Sequence, residues 1–166
     1  LLLFNILKNI TFKGASGPVN FFSNGDRDPK TVTYQIYQIH TSNGVAISPD
    51  RVILTSGTSE GIDLALSVIV DRDEEVLVPL PAYPFYTAVL TKLGARPVFY
   101  RTDPKRGWRP DLDHLKSLIG PRTRALVVID PNNPTGAVYP KEDRLALLEI
   151  ADRHNFVLLS DEVYTN

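Results

Sequence analysis

The sequence predicts an α/β fold: a three-layer sandwich in which a mostly parallel sheet carries helices on both faces, preceded by a β-hairpin-like N-terminal segment. Three observations carry that expectation. From Val45 onward, short β-branched runs alternate with amphipathic stretches of helical period. The strand-like runs are apolar at consecutive positions, as strands buried on both faces are. The polar, turn-forming clusters fall at the ends of those runs and not inside them.

In chain order, "RVILT" (51–55) reads as a strand, and "SEGIDLALSVIV" (59–70) as a helix with Ile62, Leu66 and Ile69 on one face. "EVLVPL" (75–80) is a strand, and "FYTAVLTKLG" (85–94) is a helix that Gly94 ends. "RPVFY" (96–100) is the next strand, followed by a short helix, "DLDHLKSLI" (111–119), opened by Asp111. "RALVVI" (124–129) is a strand. "PKEDRLALLEIADRH" (140–154) is a helix with Pro140 at its start and basic Arg153 and His154 at its end. "FVLLS" (156–160) is the last strand.

Residues 1–42 differ in character. Gly14, Gly17 and Pro18, then "VNFF", the turn signal "NGD" and the alternating "VTYQIYQIH" read as a hairpin-like unit of different origin from residues 43–166. No low-complexity linker and no repeat separates the two parts.

Composition narrows the class. At 166 residues, one domain is expected, and 43% apolar with 22% charged residues is a globular balance that argues against disorder, collagen or coiled coil. A net charge of −1 leaves no basic footprint for nucleic acid. No apolar run approaches a membrane span, and "LLLF" is too short for a signal-peptide core. The absence of cysteine removes disulfides and thiolate metal sites. Methionine is absent even from position 1, so the chain is expected to begin partway through something larger.

The chemistry gathers at the C-terminal ends of the strands, where open α/β sheets bind ligands. "TSGTSEG" (55–61) leads into a helix, so its N–H groups and the Thr58 and Ser59 hydroxyls can meet an anion. "PAYPFY" sets Tyr83 between prolines. "DPNNPTG" (130–136) boxes two asparagines between prolines at the end of a buried strand, a corner stiffened by fixed φ angles. "DEVY" supplies Asp161 and Tyr164. Singly, each has an ordinary structural reading: helix cap, packed aromatic, Asn-braced turn, core tyrosine. Jointly they suit a planar, phosphorylated heteroaromatic ring: anion cradle, aromatic plate, carboxylate for a protonated ring nitrogen, and two donors for a ring phenolate.

The motifs "TSGTSEGI", "PLPAYPFY", "DPNNPTGAVYP" and "LLSDEVY" make residues 44–166 resemble the large-domain core of the fold-type-I, class I/II pyridoxal-phosphate aminotransferases, in the branch with alanine and aromatic aminotransferases. The resemblance implies that Thr58 and Ser59 bind the phosphate of pyridoxal 5'-phosphate and that Tyr83 stacks on its ring. It implies that Asn133 and Tyr164 bond the ring's phenolic oxygen and that Asp161 pairs with the ring nitrogen. It further implies amino-group transfer between an amino acid and a 2-oxo acid, a homodimer and a cytoplasmic location.

The family's cofactor-linking lysine follows the Asp–Tyr strand by several dozen residues, whereas this sequence ends at Asn166. None of Lys8, Lys13, Lys30, Lys92, Lys105, Lys116 and Lys141 stands at a strand end in the motif set. The expectation is therefore no catalytic residue and no turnover from this fragment. Residues 1–42 resemble a stretch of receptor extracellular ligand-binding domains, with Asn9-Ile10-Thr11 as a sequon in that setting. Two alternatives stand beside the enzyme reading: a non-catalytic remnant or fusion, and a receptor-type ligand-binding segment.

Overall fold

Leu77, Leu126 and Val128 alternate along their strands with Val76, Val78, Val127 and Ile129, and both sets are buried. Strand side chains point alternately to opposite faces, so a run buried at every position needs cover on both sides. The structure, a computed structural model, describes residues 53–164 and provides that cover. Helix α1 (Thr58–Ile69) is followed by strand β1 (Glu75–Leu80), α2 (Phe85–Leu93), β2 (Arg96–Asp103), β3 (Arg109–Pro110), α3 (Leu112–Ser117), β4 (Thr123–Ile129), α4 (Lys141–His154) and β5 (Val157–Asp161). The strands form one sheet in the order β3-β2-β1-β4-β5, parallel throughout except for the β2–β3 pair. The fold is the expected α/β sandwich.

One face carries α3 and α4 over Leu77, Tyr100, Leu126 and Val128, with Leu115, Leu147 and Ala151 buried against them. The other strand positions turn toward α1 and α2, whose Ile62, Leu66, Val89 and Leu90 are buried. Local signals set the helix ends. Gly94, at φ 73°, closes α2 in the left-handed conformation, and the Asp111 side chain caps α3 by accepting from the N–H of His114 at 3.0 Å. Pro140 precedes α4, with Glu142 and Asp143 in its first turn and Arg153 and His154 in its last.

Two readings are corrected. The strand over 51–55 is not seen: Ile53, Leu54 and Thr55 are irregular, with Ile53 and Leu54 exposed, while Arg51 and Val52 lie outside the described residues. A strand exists only where a neighbour takes its N–H and C=O groups, and the described residues offer 53–55 none. An apolar run alone does not say whether that neighbour is there. The second strand is longer than its apolar stretch. It continues through Asp103 and folds back through a 3-10 turn (Pro104–Arg106) and Gly107 at φ 66° into the antiparallel β3. The hairpin-like reading of 1–42 and the 1–42/43–166 boundary lie outside the described residues.

Ion pairs gather where the strands begin and on the β2–β3 hairpin. Where strands begin, Glu75 lies 3.5 Å from both Arg96 and Arg122, and Arg124 meets Glu74 at 2.5 Å. On the hairpin, Arg109 grips the buried Asp143 of α4 with both arms of its guanidinium, at 2.6 and 2.7 Å, and reaches Glu142 at 3.2 Å.

Candidate functional site

From β1 the chain steps to β2, and from β4 it steps to β5 on the opposite side. The loops leaving β1 and β4 therefore diverge, and a crevice opens beyond the C-terminal ends of those strands. A cleft of about 180 Å³ lies there, lined by Thr58, Ser59, Ile62, Tyr83, Ile129, Asn133, Asp161, Val163 and Tyr164. All six residues that the sequence singled out are in that lining. The structure thus brings them together, though it does not by itself assign their roles.

The anion end is the start of α1. Gly57, at φ 86°, precedes the helix and makes no side-chain cap, so the first-turn N–H groups are not consumed by a capping residue. The Glu60 carboxylate instead folds back to take the N–H of Ser56, ahead of the helix. The Thr58 and Ser59 hydroxyls face the cleft with no hydrogen-bond partner among the described residues. First-turn N–H groups and hydroxyls that no described residue uses thus lie at the positive end of the helix dipole, on the wall of the cleft.

The loop after β1 brings Tyr83, half-buried, its ring stacked on Phe85 with centroids 6.0 Å apart. The loop after β4 brings Asn133, whose Nδ2 lies 3.5 Å from the Tyr164 hydroxyl. That loop is braced by its other asparagine. Asn132, buried, accepts the N–H and hydroxyl of Thr135 at 3.2 and 2.8 Å, while its own N–H donates to Ala137 and its carbonyl accepts from Gly136, both at 2.8 Å. Asn132 Nδ2 also reaches the Pro81 carbonyl at 3.5 Å, so one side chain touches both loops that border the crevice. Three X-Pro bonds in the two loops, Leu80-Pro81, Asp130-Pro131 and Asn133-Pro134, are cis.

Asp161, the last residue of β5, is 3% exposed. One carboxylate oxygen accepts the Tyr86 hydroxyl at 2.8 Å, the other the N–H of Val163 at 3.2 Å. Both donors are neutral, and no described Lys, Arg or His pairs with this carboxylate. A buried carboxylate is costly unless a positive charge or a proton answers it, and two oxygens carry about four acceptor sites, of which two are used. The open side faces the cleft. This donor set fits a protonated ring nitrogen, the α1 terminus fits a phosphate, and Tyr83 fits the ring between them. Among the described residues, no cluster of His, Asp and Glu could hold a metal.

Sequence reasoning passed over Asn132 and Tyr86. The doubled asparagine was the available signal for the first. For the second it was a tyrosine one helical turn beyond Tyr83.

A family profile described as "Aminotransferase class I and II" matches residues 6–166. An alanine aminotransferase of Mycobacterium bovis is 46% identical over 115 residues, 69% of this chain and 27% of that protein. A glutamate-pyruvate aminotransferase of Escherichia coli is 38% identical over 142 residues, 86% of this chain and 35% of that protein. The solved alanine aminotransferase from Pyrococcus furiosus superposes with a TM-score of 0.71 at 43% identity, over 74% of this chain and 31% of that one. The chain therefore spans about a third or less of these relatives. Nothing among these matches supports the receptor resemblance of residues 1–42.

Proposed function

Because the chain belongs to the class I and II aminotransferases, we propose that it carries the pyridoxal 5'-phosphate cradle of an enzyme that moves an amino group between an amino acid and a 2-oxo acid. The observation that supports this most is Asp161, a buried carboxylate with no cation among the described residues, lining a cleft whose other end offers anion donors that no described residue uses. In this reading Thr58, Ser59 and the first turn of α1 bind the phosphate, and Tyr83 covers one face of the ring. Asn133 and Tyr164 donate to the ring's phenolic oxygen. Asp161 holds the proton on the ring nitrogen, and bound in that state the cofactor supplies an electron sink for the amino-acid substrate. Ile62, Ile129 and Val163 exclude water beside the carboxylate, which strengthens its pull on that proton.

The experiment is a titration of the purified chain with pyridoxal 5'-phosphate, followed by the absorbance of the bound chromophore. Saturable binding is expected, displaced by inorganic phosphate. Asp161→Ala should weaken it by about tenfold or more, the scale of one hydrogen bond between charged groups. Binding that Asp161→Ala leaves untouched would refute the assignment. So would a failure of phosphate to compete.

A further inference from the structure

Tyr86 does not line the cleft. It stands behind it, 1% exposed, in the first turn of α2, and reaches the end of β5 to donate to Asp161 at 2.8 Å. Resting on the cofactor reading above, we propose that Tyr86 is a positioning residue: through its hydroxyl it fixes the plane and charge of the Asp161 carboxylate so that its free side meets the ring nitrogen of the cofactor.

Three features carry this. The first is the direction of the hydrogen bond. Burial, and after it the charge of Asp161, push the Tyr86 phenol well above its ordinary value, so this hydroxyl stays protonated and can only donate to the carboxylate. The second is what else touches Asp161. The N–H of Val163 holds Oδ1 at 3.2 Å, and Tyr86 holds Oδ2, so the carboxylate is clamped at both oxygens. Because Val163 also lines the cleft and lies in the same turn as Asp161, that donor moves with β5. Among the described residues, only Tyr86 ties the carboxylate to a separate element. The third is the place of Tyr86 in the chain. Its N–H donates to the Tyr83 carbonyl at 3.3 Å, so the loop residue that offers the aromatic plate is tied directly to the first turn of α2, which offers the brace of the carboxylate. Ring face and ring nitrogen would be registered by one rigid piece of backbone. Removing a donor from a buried carboxylate leaves that oxygen without its partner and free to turn from the ring cation.

A pair of ligands separates positioning from simple structural support. The chain is titrated with pyridoxal 5'-phosphate and with its deaza analogue, in which C–H replaces the ring nitrogen; phosphate, ring face and phenolic oxygen are the same in both. The wild type should prefer the natural ring. Tyr86→Phe should weaken pyridoxal 5'-phosphate binding by about tenfold, the effect of one hydrogen bond to a charged group, and leave the deaza analogue nearly unchanged. Tyr86→His, which retains a ring N–H donor, should recover part of the preference, and Asp161→Asn should make Tyr86→Phe silent. Equal loss for both ligands would mean that Tyr86 only supports the fold, and no loss for either would mean that it does nothing for the site; both results overturn the inference. A wild type that does not distinguish the two ligands would overturn the cofactor reading itself, and the inference with it, before any Tyr86 variant is measured. If thermal melting shows that Tyr86→Phe is unfolded, Tyr86→Leu is measured in its place and read by the same criteria.

Discussion

Asp130 shows how the burial of a single charged residue can work against the fold. It follows β4 almost fully buried, accepts the N–H of Tyr139 at 3.0 Å, and lies 3.7 Å from Arg144. Burial raises its carboxyl above the ordinary value, while the Tyr139 N–H and Arg144 pull the other way. A carboxyl raised above its unfolded value of about 4 adds stability while protonated, and that contribution fades as pH rises through the folded value. Asp130→Asn keeps the oxygen that accepts from Tyr139, so it is expected to gain on the wild type as pH climbs from about 3 to 7. Urea melts of both proteins across that range measure the effect. If the variant instead falls behind with rising pH, Arg144 outweighs burial. At this scale the six lining residues were legible because their chemical types stand at strand ends, where topology brings distant segments together. Asn132 and Tyr86 were not. What each does depends on which partner the folded chain sets opposite it, Pro81 for one and Asp161 for the other, and neither partner is a neighbour in sequence.

Among the elements, β1, β4 and β5 announced themselves as apolar runs, and α2 and α4 by the residues at their ends. The hairpin of β2 and β3 did not, because "PKRGW" reads as a surface turn and β3 has only two residues. Its anchor is tertiary. The two-armed contact of Arg109 with Asp143 ties the hairpin to the first turn of α4, and a buried carboxylate that loses its cation is left uncompensated. Arg109→Met is expected to lower the melting temperature by more than about 4 °C. Arg109→Lys should fall in between, since an ammonium cannot make the paired contact. Combining Arg109→Met with Asp143→Leu should recover most of the loss, because the buried charge is gone as well. Calorimetry of the four proteins tests the series. An unchanged melting temperature in Arg109→Met would show that the hairpin is held by its strand pairing alone.

For the molecule as a whole, the architecture was readable because parallel strands must be covered on both faces, and only helices of this period and spacing cover them. What the sequence left open was which apolar run has a neighbour, as 51–55 shows. The two ends of the sheet also differ in kind: ion pairs of Glu74, Glu75 and three arginines at the strand starts, and the cleft at the strand ends. A six-residue strand such as β1 is about 20 Å long at roughly 3.3 Å per residue. That exceeds the screening length of about 8 Å in physiological salt. Reversing the charge of Arg124 with Arg124→Glu should therefore lower thermal stability slightly and change pyridoxal 5'-phosphate affinity by less than about twofold. Parallel melts and titrations compare the two, and an affinity change of tenfold would mean that the ends communicate through the backbone. The length of the strands, with salt around them, isolates one end electrically from the other. Charge added at the far end, whether as a tag, a tether or an immobilising surface, is screened out before it reaches the cleft, so that end is the one by which the protein can be held while its cleft is measured.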